Sequence, residues 1–142
     1  MSRLSKRIKR RIVPRRKLST GLSSRSAILC ADNSGARELR VIQVPGYKGR
    51  KRRLPPASVG DMVMVSVIEG VPDMRKKLFP AVVVRQRKPY KRVDGTWIRF
   101  EDNAAIIMTP EGETRGSNIK GPVAREATER WPRVAGIARL IV

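Results

Sequence analysis

Residues 81–107 read AVVVRQRKPYKRVDGTWIRFEDNAAII. Four small or β-branched residues in succession, Ala81, Val82, Val83 and Val84, favour an extended chain buried on at least one face, and the run is too short and too branched for a helix. That strand continues without a break into Arg85, Arg87, Lys88, Lys91 and Arg92, with Arg85 and Arg87 on one side by the two-residue period. Val93-Asp94-Gly95-Thr96 has the composition of a tight reversal. A second strand is expected over residues 96–100, a polar reversal at Glu101-Asp102-Asn103, and an apolar strand over residues 104–109. The stretch therefore predicts a three-stranded meander with a cationic end. Taken alone, its charges fit either a sheet edge guarded against aggregation or a surface for an anionic partner.

The rest of the chain repeats this coupling of apolar strands to basic loops. Residues 26–31 and 37–44 read as two strands around Asp32-Asn33-Ser34-Gly35. Asp at the first turn position caps backbone N–H groups and Gly at the fourth suits a turn closing into a bulge. Leu39, Val41 and Gln43 alternate with Arg40, Ile42 and Val44, which leaves little purely polar surface and predicts a small closed barrel with covered faces. Residues 61–69 form the strongest alternation, Val63, Val65 and Val67 marking the core face. Between these strands lies PGYKGRKRRLPPASVG, a long connection that packs Lys48, Arg50, Lys51, Arg52 and Arg53 around two glycines. Charges this dense repel one another unless phosphates lie between them, and loops of this length are commonly functional. Tyr47 anchors the loop or stacks on a base. A second basic loop, Arg75, Lys76 and Lys77, leads directly into Ala81.

The composition narrows the partner. The 142 residues carry 32 Lys and Arg against 12 Asp and Glu, a formal net charge of +20. Self-repulsion on this scale makes sense when a polyanion neutralises it, so nucleic acid is the expected partner. No apolar run approaches the length of a membrane span. There is no His and a single Cys, Cys30, set among apolar or small neighbours and expected in the core. The usual general acid/base, paired zinc ligands and any internal disulfide are thereby missing, so no catalytic residue, metal site or cofactor is assigned. Residues 1–25 hold ten basic residues and no acid, and the remaining 22 basic residues against all twelve acids leave residues 26–142 at +10. The first segment reads as a basic arm, with Arg7, Arg10 and Arg11 among its phosphate-binding candidates, and residues 26–142 as one domain. Its Arg-rich, acid-free character also matches a mitochondrial presequence; the equally basic body favours the arm. From Gly121-Pro122 the pattern turns helical, with two short helices divided by Pro132. Val123, Ala127 and Trp131 form an apolar line that either closes the barrel or docks a protein.

Several motifs in fixed order now carry a resemblance: CADNSGA (30–36), LPPASVGDMVM (54–64), PAVVVRQRKPYKR with WIRFEDNAA (80–105), then GPVARE and WPRVA. Over about residues 20–142 the sequence closely resembles the universal large-subunit ribosomal protein fourteen family in its archaeal and eukaryotic form. Ile106 stands where that family usually has Val. The resemblance implies a mainly β fold, a five-stranded β-barrel with a small β-ribbon and short C-terminal helices at about 121–142. It implies a structural constituent of the large subunit in the cytoplasmic ribosome, bound to large-subunit rRNA and facing the small subunit at an intersubunit bridge. Its expected partners are neighbouring ribosomal proteins, small-subunit rRNA across the interface and a factor that blocks subunit joining, with no membrane. By position, Ser117, Asn118, Arg125, Trp131 and Arg133 fall on the protein-facing side. The rival reading is a general basic protein that coats nucleic acid. It is weakened by the small number of aromatics for stacking and the lack of a recognition helix. A nuclease would need clustered carboxylates, and Glu101-Asp102 reads as a turn pair.

Overall fold

A computed structural model of the chain describes residues 17–142. Its strands are β1 (Leu22–Ser23), β2 (Ala27–Cys30), β3 (Ala36–Gln43), β4 (Pro56–Ala57), β5 (Met62–Gly70), β6 (Leu78–Arg85), β7 (Tyr90–Lys91), β8 (Trp97–Ile98), β9 (Ala104–Ile107), β10 (Pro122–Val123) and β11 (Leu140–Ile141). Two helices follow β10, α1 (Arg125–Arg130) and α2 (Pro132–Ile137). Five strands close a barrel in the order β2-β3-β5-β6-β9. The closing seam is parallel, Leu29 opposite Ala104 and Cys30 opposite Ala105, while the other ladders are antiparallel.

Alternation on β5 sets the inside of the barrel. Val63, Val65 and Val67 are buried there, and Ala81 of β6 lies directly opposite Val63 and therefore faces the same way. Cross-strand register then places Val83, Ala105 and Ile107 inside and Val82 and Ile106 outside. The outward pair is nevertheless fully buried, because β10 and α1 pack over β6. A strand covered on both faces reads as an unbroken apolar run, which is why residues 81–84 show no alternation. On β3 the outer face is open, contrary to the expectation of covered faces: Arg40 and Ile42 are exposed beside buried Leu39 and Val41.

The expected meander is corrected by the strand order. β6 pairs directly with β9, and the segment between them leaves the barrel as a two-stranded ribbon, Tyr90 opposite Ile98 and Lys91 opposite Trp97. At the end of the segment 1–25, Leu22 is buried and Leu22–Ser23 pairs with Pro56–Ala57. The long connection is therefore ordered at its return. Pro132 separates the helices by occupying the first turn of α2, where its missing N–H has no intrahelical acceptor to lose. Val123 belongs to β10 instead of to a helix.

The reversal between β2 and β3 is held by Asp32, which is 4% exposed. Its Oδ1 accepts from the Ser34 N–H at 3.0 Å, the Ser34 hydroxyl and the Cys30 thiol, and its Oδ2 accepts from the Ile107 N–H at 2.7 Å. One carboxylate thus caps the turn and ties it to β9. Gly35 follows with φ 101°, and a Cβ there would lie 2.6 Å from Val71.

Candidate nucleic-acid interface

The connection between β3 and β4 exposes all five of its expected cations, Lys48, Arg50, Lys51, Arg52 and Arg53. Its tip closes through the Arg53 N–H to the Arg50 carbonyl at 3.0 Å. Tyr47 packs against the core and serves as the anchor. The second basic loop hangs on a buried plug, Met74, and on the Lys76 N–H, which donates to the Val67 carbonyl of β5 at 3.0 Å. Arg75, Lys76 and Lys77 are exposed around it, with the Arg75 Nε donating to Gly70. Ion pairs join Asp61, Asp102, Glu113 and Glu126 to Arg130, Arg85, Arg133 and Arg92. Among the described residues no ion pair involves the cations of either loop. Their charge is left for a partner, and dense unpaired cations on fixed loops bind polyanions by displacing counterions.

Two of the expected phosphate contacts, Arg85 and Arg92, are engaged with carboxylates of the protein itself. Arg85 is 8% exposed and turned inward. It grips Asp102 through Nε at 2.9 Å and Nη2 at 3.1 Å, and its Nη1 donates to the carbonyls of Lys120 and Pro122. Arg92 donates to both oxygens of Glu126 and to the Val142 carbonyl. The period-two pairing of Arg85 with Arg87 fails because β6 ends at Arg85. Gln86 is buried, Val59 N–H donating to its Oε1 and its Nε2 donating to the carbonyls of Ser19 and Lys88. Arg87, Lys88 and Lys91 remain exposed at the base of the ribbon. Arg7, Arg10 and Arg11 lie outside the described residues.

Glu126 is the residue that sequence reasoning missed on this side. It joins the ribbon to α1, accepting from the Tyr90 hydroxyl at 2.8 Å and from Arg92 Nε at 2.7 Å. Burial alone would raise its pKa, but the hydrogen bonds from Arg92 and Tyr90 outweigh it and hold the carboxyl below its ordinary range. Burial and then Glu126 push the Tyr90 phenol upward, so it stays protonated and donating. Because the folded Glu126 binds its proton more weakly than the unfolded one, its contribution is complete above the unfolded value and is lost as pH falls through the folded one. Replacing Glu126 with Gln is expected to cost about 1–2 kcal/mol at neutral pH, a deficit that shrinks below about pH 4. Urea midpoints of the two proteins across that range check it.

The expected protein-facing residues separate into two kinds. Ser117 is exposed and clamped to the β2–β3 turn: its N–H donates to Asn33 Oδ1 at 2.9 Å and its hydroxyl accepts from Asn33 Nδ2 at 3.0 Å. Asn118 is half-buried and Arg125 exposed. Arg133 is exposed and pairs with Glu113 at 3.1 Å. Trp131 is instead buried, its indole N–H donating to the Gly60 carbonyl at 2.8 Å, so it closes the fold and offers no surface to a partner. Cys30 is half-buried, and burial together with Asp32 pushes its thiol up to about 12, which keeps it protonated and unreactive. Asp102, half of the carboxylate pair a nuclease would need, is committed to Arg85. Exposed cations that density in sequence did not single out include Arg37 and Arg40 on β3; the alternation of residues 39–44 was the available signal for Arg40, while Arg37 lies beside a register shift that alternation does not announce.

Comparison with known proteins agrees with this geometry. The family described as ribosomal protein L14p/L23e matches residues 21–142. The large ribosomal subunit protein uL14 of Thermoplasma volcanium is 59% identical over 122 residues, covering 86% of this chain and 92% of that protein. Its counterpart in Methanococcus vannielii is 57% identical over 120 residues, covering 84% and 91%. That of Metallosphaera sedula is 55% identical over 128 residues, covering 90% and 93%. A match from β1 through β11, on a closed five-stranded barrel, settles the assignment. The chain belongs to the L14p/L23e family of ribosomal proteins, and is a structural constituent of the large subunit of the cytoplasmic ribosome, not an enzyme.

Proposed function

We propose that the protein binds large-subunit rRNA through its exposed loop cations, at the face of the large subunit turned toward the small one, where it contributes to an intersubunit bridge. The observation that carries this reading is the exposure of Lys48–Arg53 and Arg75–Lys77 with, among the described residues, no acid paired to them. Binding is electrostatic and shape-reading: cations neutralise phosphates, and Arg guanidinium groups bond them bidentately or stack on splayed bases. Arg87, Lys88 and Lys91 extend the surface along the ribbon, and residues 1–25 act as a basic arm that adds Arg7, Arg10 and Arg11. Ser117, Asn118, Arg125, Arg133 and the segment 121–142 receive neighbouring ribosomal proteins and an anti-association factor, with small-subunit rRNA across the interface.

Replacing Arg50, Arg52 and Arg53 together with Ala is expected to take about 2.7 off the slope of log K against log salt and to weaken rRNA binding about a hundredfold near 0.15 M salt. An unchanged slope removes this loop from the interface. Competition between folded rRNA and duplex DNA separates this reading from a general coating protein, which would bind both equally.

A further inference from the structure

Among the described residues, three that are not glycine have positive φ: Arg25 at 72°, Arg52 at 63° and Lys76 at 60°. All three are cations and all three are exposed. Each is the third residue of a four-residue reversal closed by the fourth N–H donating to the first carbonyl: Ser26 to Ser23 at 3.2 Å, Arg53 to Arg50 at 3.0 Å and Lys77 to Met74 at 3.4 Å. With positive φ, that place normally takes glycine or, failing it, asparagine.

The chain supplies its own comparison. Among the described residues, two further reversals closed by the same bond have positive φ at the third place, Tyr47 to Val44 at 3.3 Å and Asp61 to Ser58 at 3.1 Å. Their third residues are Gly46 at φ 85° and Gly60 at φ 83°. The chain thus uses glycine for this geometry twice. At the three exposed reversals it keeps a long cation on a conformation that crowds any Cβ. Asparagine relieves such strain with a local hydrogen bond, but among the described residues none of the three cationic side chains bonds to the protein.

Strained left-handed residues persist where the side chain has a task that the relaxed residue lacks. On an exposed loop, charge is what Arg or Lys has and glycine does not. We propose that Arg25, Arg52 and Lys76 are phosphate-contact residues, held on fixed reversals against phosphodiester oxygens of the rRNA. The proposal rests on the rRNA-binding reading above and sharpens it, naming in each basic loop the one cation whose position the backbone presets, beside neighbours that also neutralise phosphates. It also adds Arg25, which charge density alone assigns to the arm. The β1–β4 ladder sets the Arg25 reversal beside the return of the Arg52 loop, with the Ser24 N–H donating to the Pro55 carbonyl at 3.1 Å. The Lys76 reversal is pinned to β5 through its own N–H. Positions fixed in this way lose little entropy on contact.

The test uses the full chain and a large-subunit rRNA transcript. Arg25→Gly, Arg52→Gly and Lys76→Gly each relieve the backbone while removing the charge. Each is expected to hold or raise Tm, to weaken binding about fivefold near 0.15 M salt, and to take about 0.9 off the salt slope. Arg25→Lys and Arg52→Lys retain the slope. Glycine variants with unchanged affinity and slope overturn the proposal, and so does a glycine variant whose Tm falls, since the backbone was then not strained. A wild-type chain that fails to bind the transcript overturns the rRNA reading itself, together with everything built on it.

Discussion

Replacing Arg85 with Met is expected to lower stability by about 3 kcal/mol and to leave the salt dependence of rRNA binding unchanged. The side chain lies at the end of β6, where it meets Asp102 from the turn before β9 and the carbonyls of Lys120 and Pro122 that lead into β10. Three separate segments are joined at one guanidinium. Gly121 sits between the two carbonyls, and a Cβ there would lie 2.8 Å from Nη1, so the backbone is drawn tightly around the group. Met replaces the stem of the side chain and none of its donors, leaving a carboxylate and two carbonyls without partners. Asp102 retains a third of its side-chain exposure, which lets water restore part of the loss and places the cost at the lower end of about 3–5 kcal/mol for a broken buried pair. Urea unfolding and an rRNA salt titration on the same protein check both halves. A slope reduced by about 0.9 would return Arg85 to the RNA surface.

Truncating Trp131 to Ala is expected to cost about 3–5 kcal/mol, the range for emptying an aromatic site in a packed interior. The ring links α1 to α2 and lies over the loop that ends at Gly60. Arg130 continues to donate to the Gly60 carbonyl at 3.0 Å, so the loss is mainly one of packing. Denaturant midpoints measure it. A variant as stable as the parent would show that the ring does not close the fold.

These two residues mark the limit of what the sequence discloses. The barrel's inner face was legible because its signals are local: the valines of β5, the apolar run of β6 and the Asp32–Gly35 reversal each speak within a few residues. The division at Pro132 was legible for the same reason. Side-chain roles depend on partners brought together by chain return. Asp102 lies 17 residues from Arg85 and Glu126 lies 34 from Arg92, and a cation reads alike in sequence whether water or a carboxylate awaits it. The ribbon was taken for a strand of the sheet because two-residue pairings leave almost no periodic trace. The double burial of residues 81–84 did carry a signal of the C-terminal cover, in the absence of alternation. The left-handed cations carried none, since Arg and Lys are not turn residues and nothing in their spacing announces a positive φ.

The parallel seam between β2 and β9 has a consequence for how the chain reaches this form. Asp32 and Ile107, bonded across that seam, are 75 residues apart, so the barrel cannot close until β9 has been made. Contacts of such long range make folding slow. Until then β2 offers an unpaired edge to any neighbouring nascent chain. The basic loops after β3 and β5 have by that time already emerged, and like charges on two unfinished copies oppose their association. The cations of these two loops thus bear on the unfinished chain as well as on the finished surface.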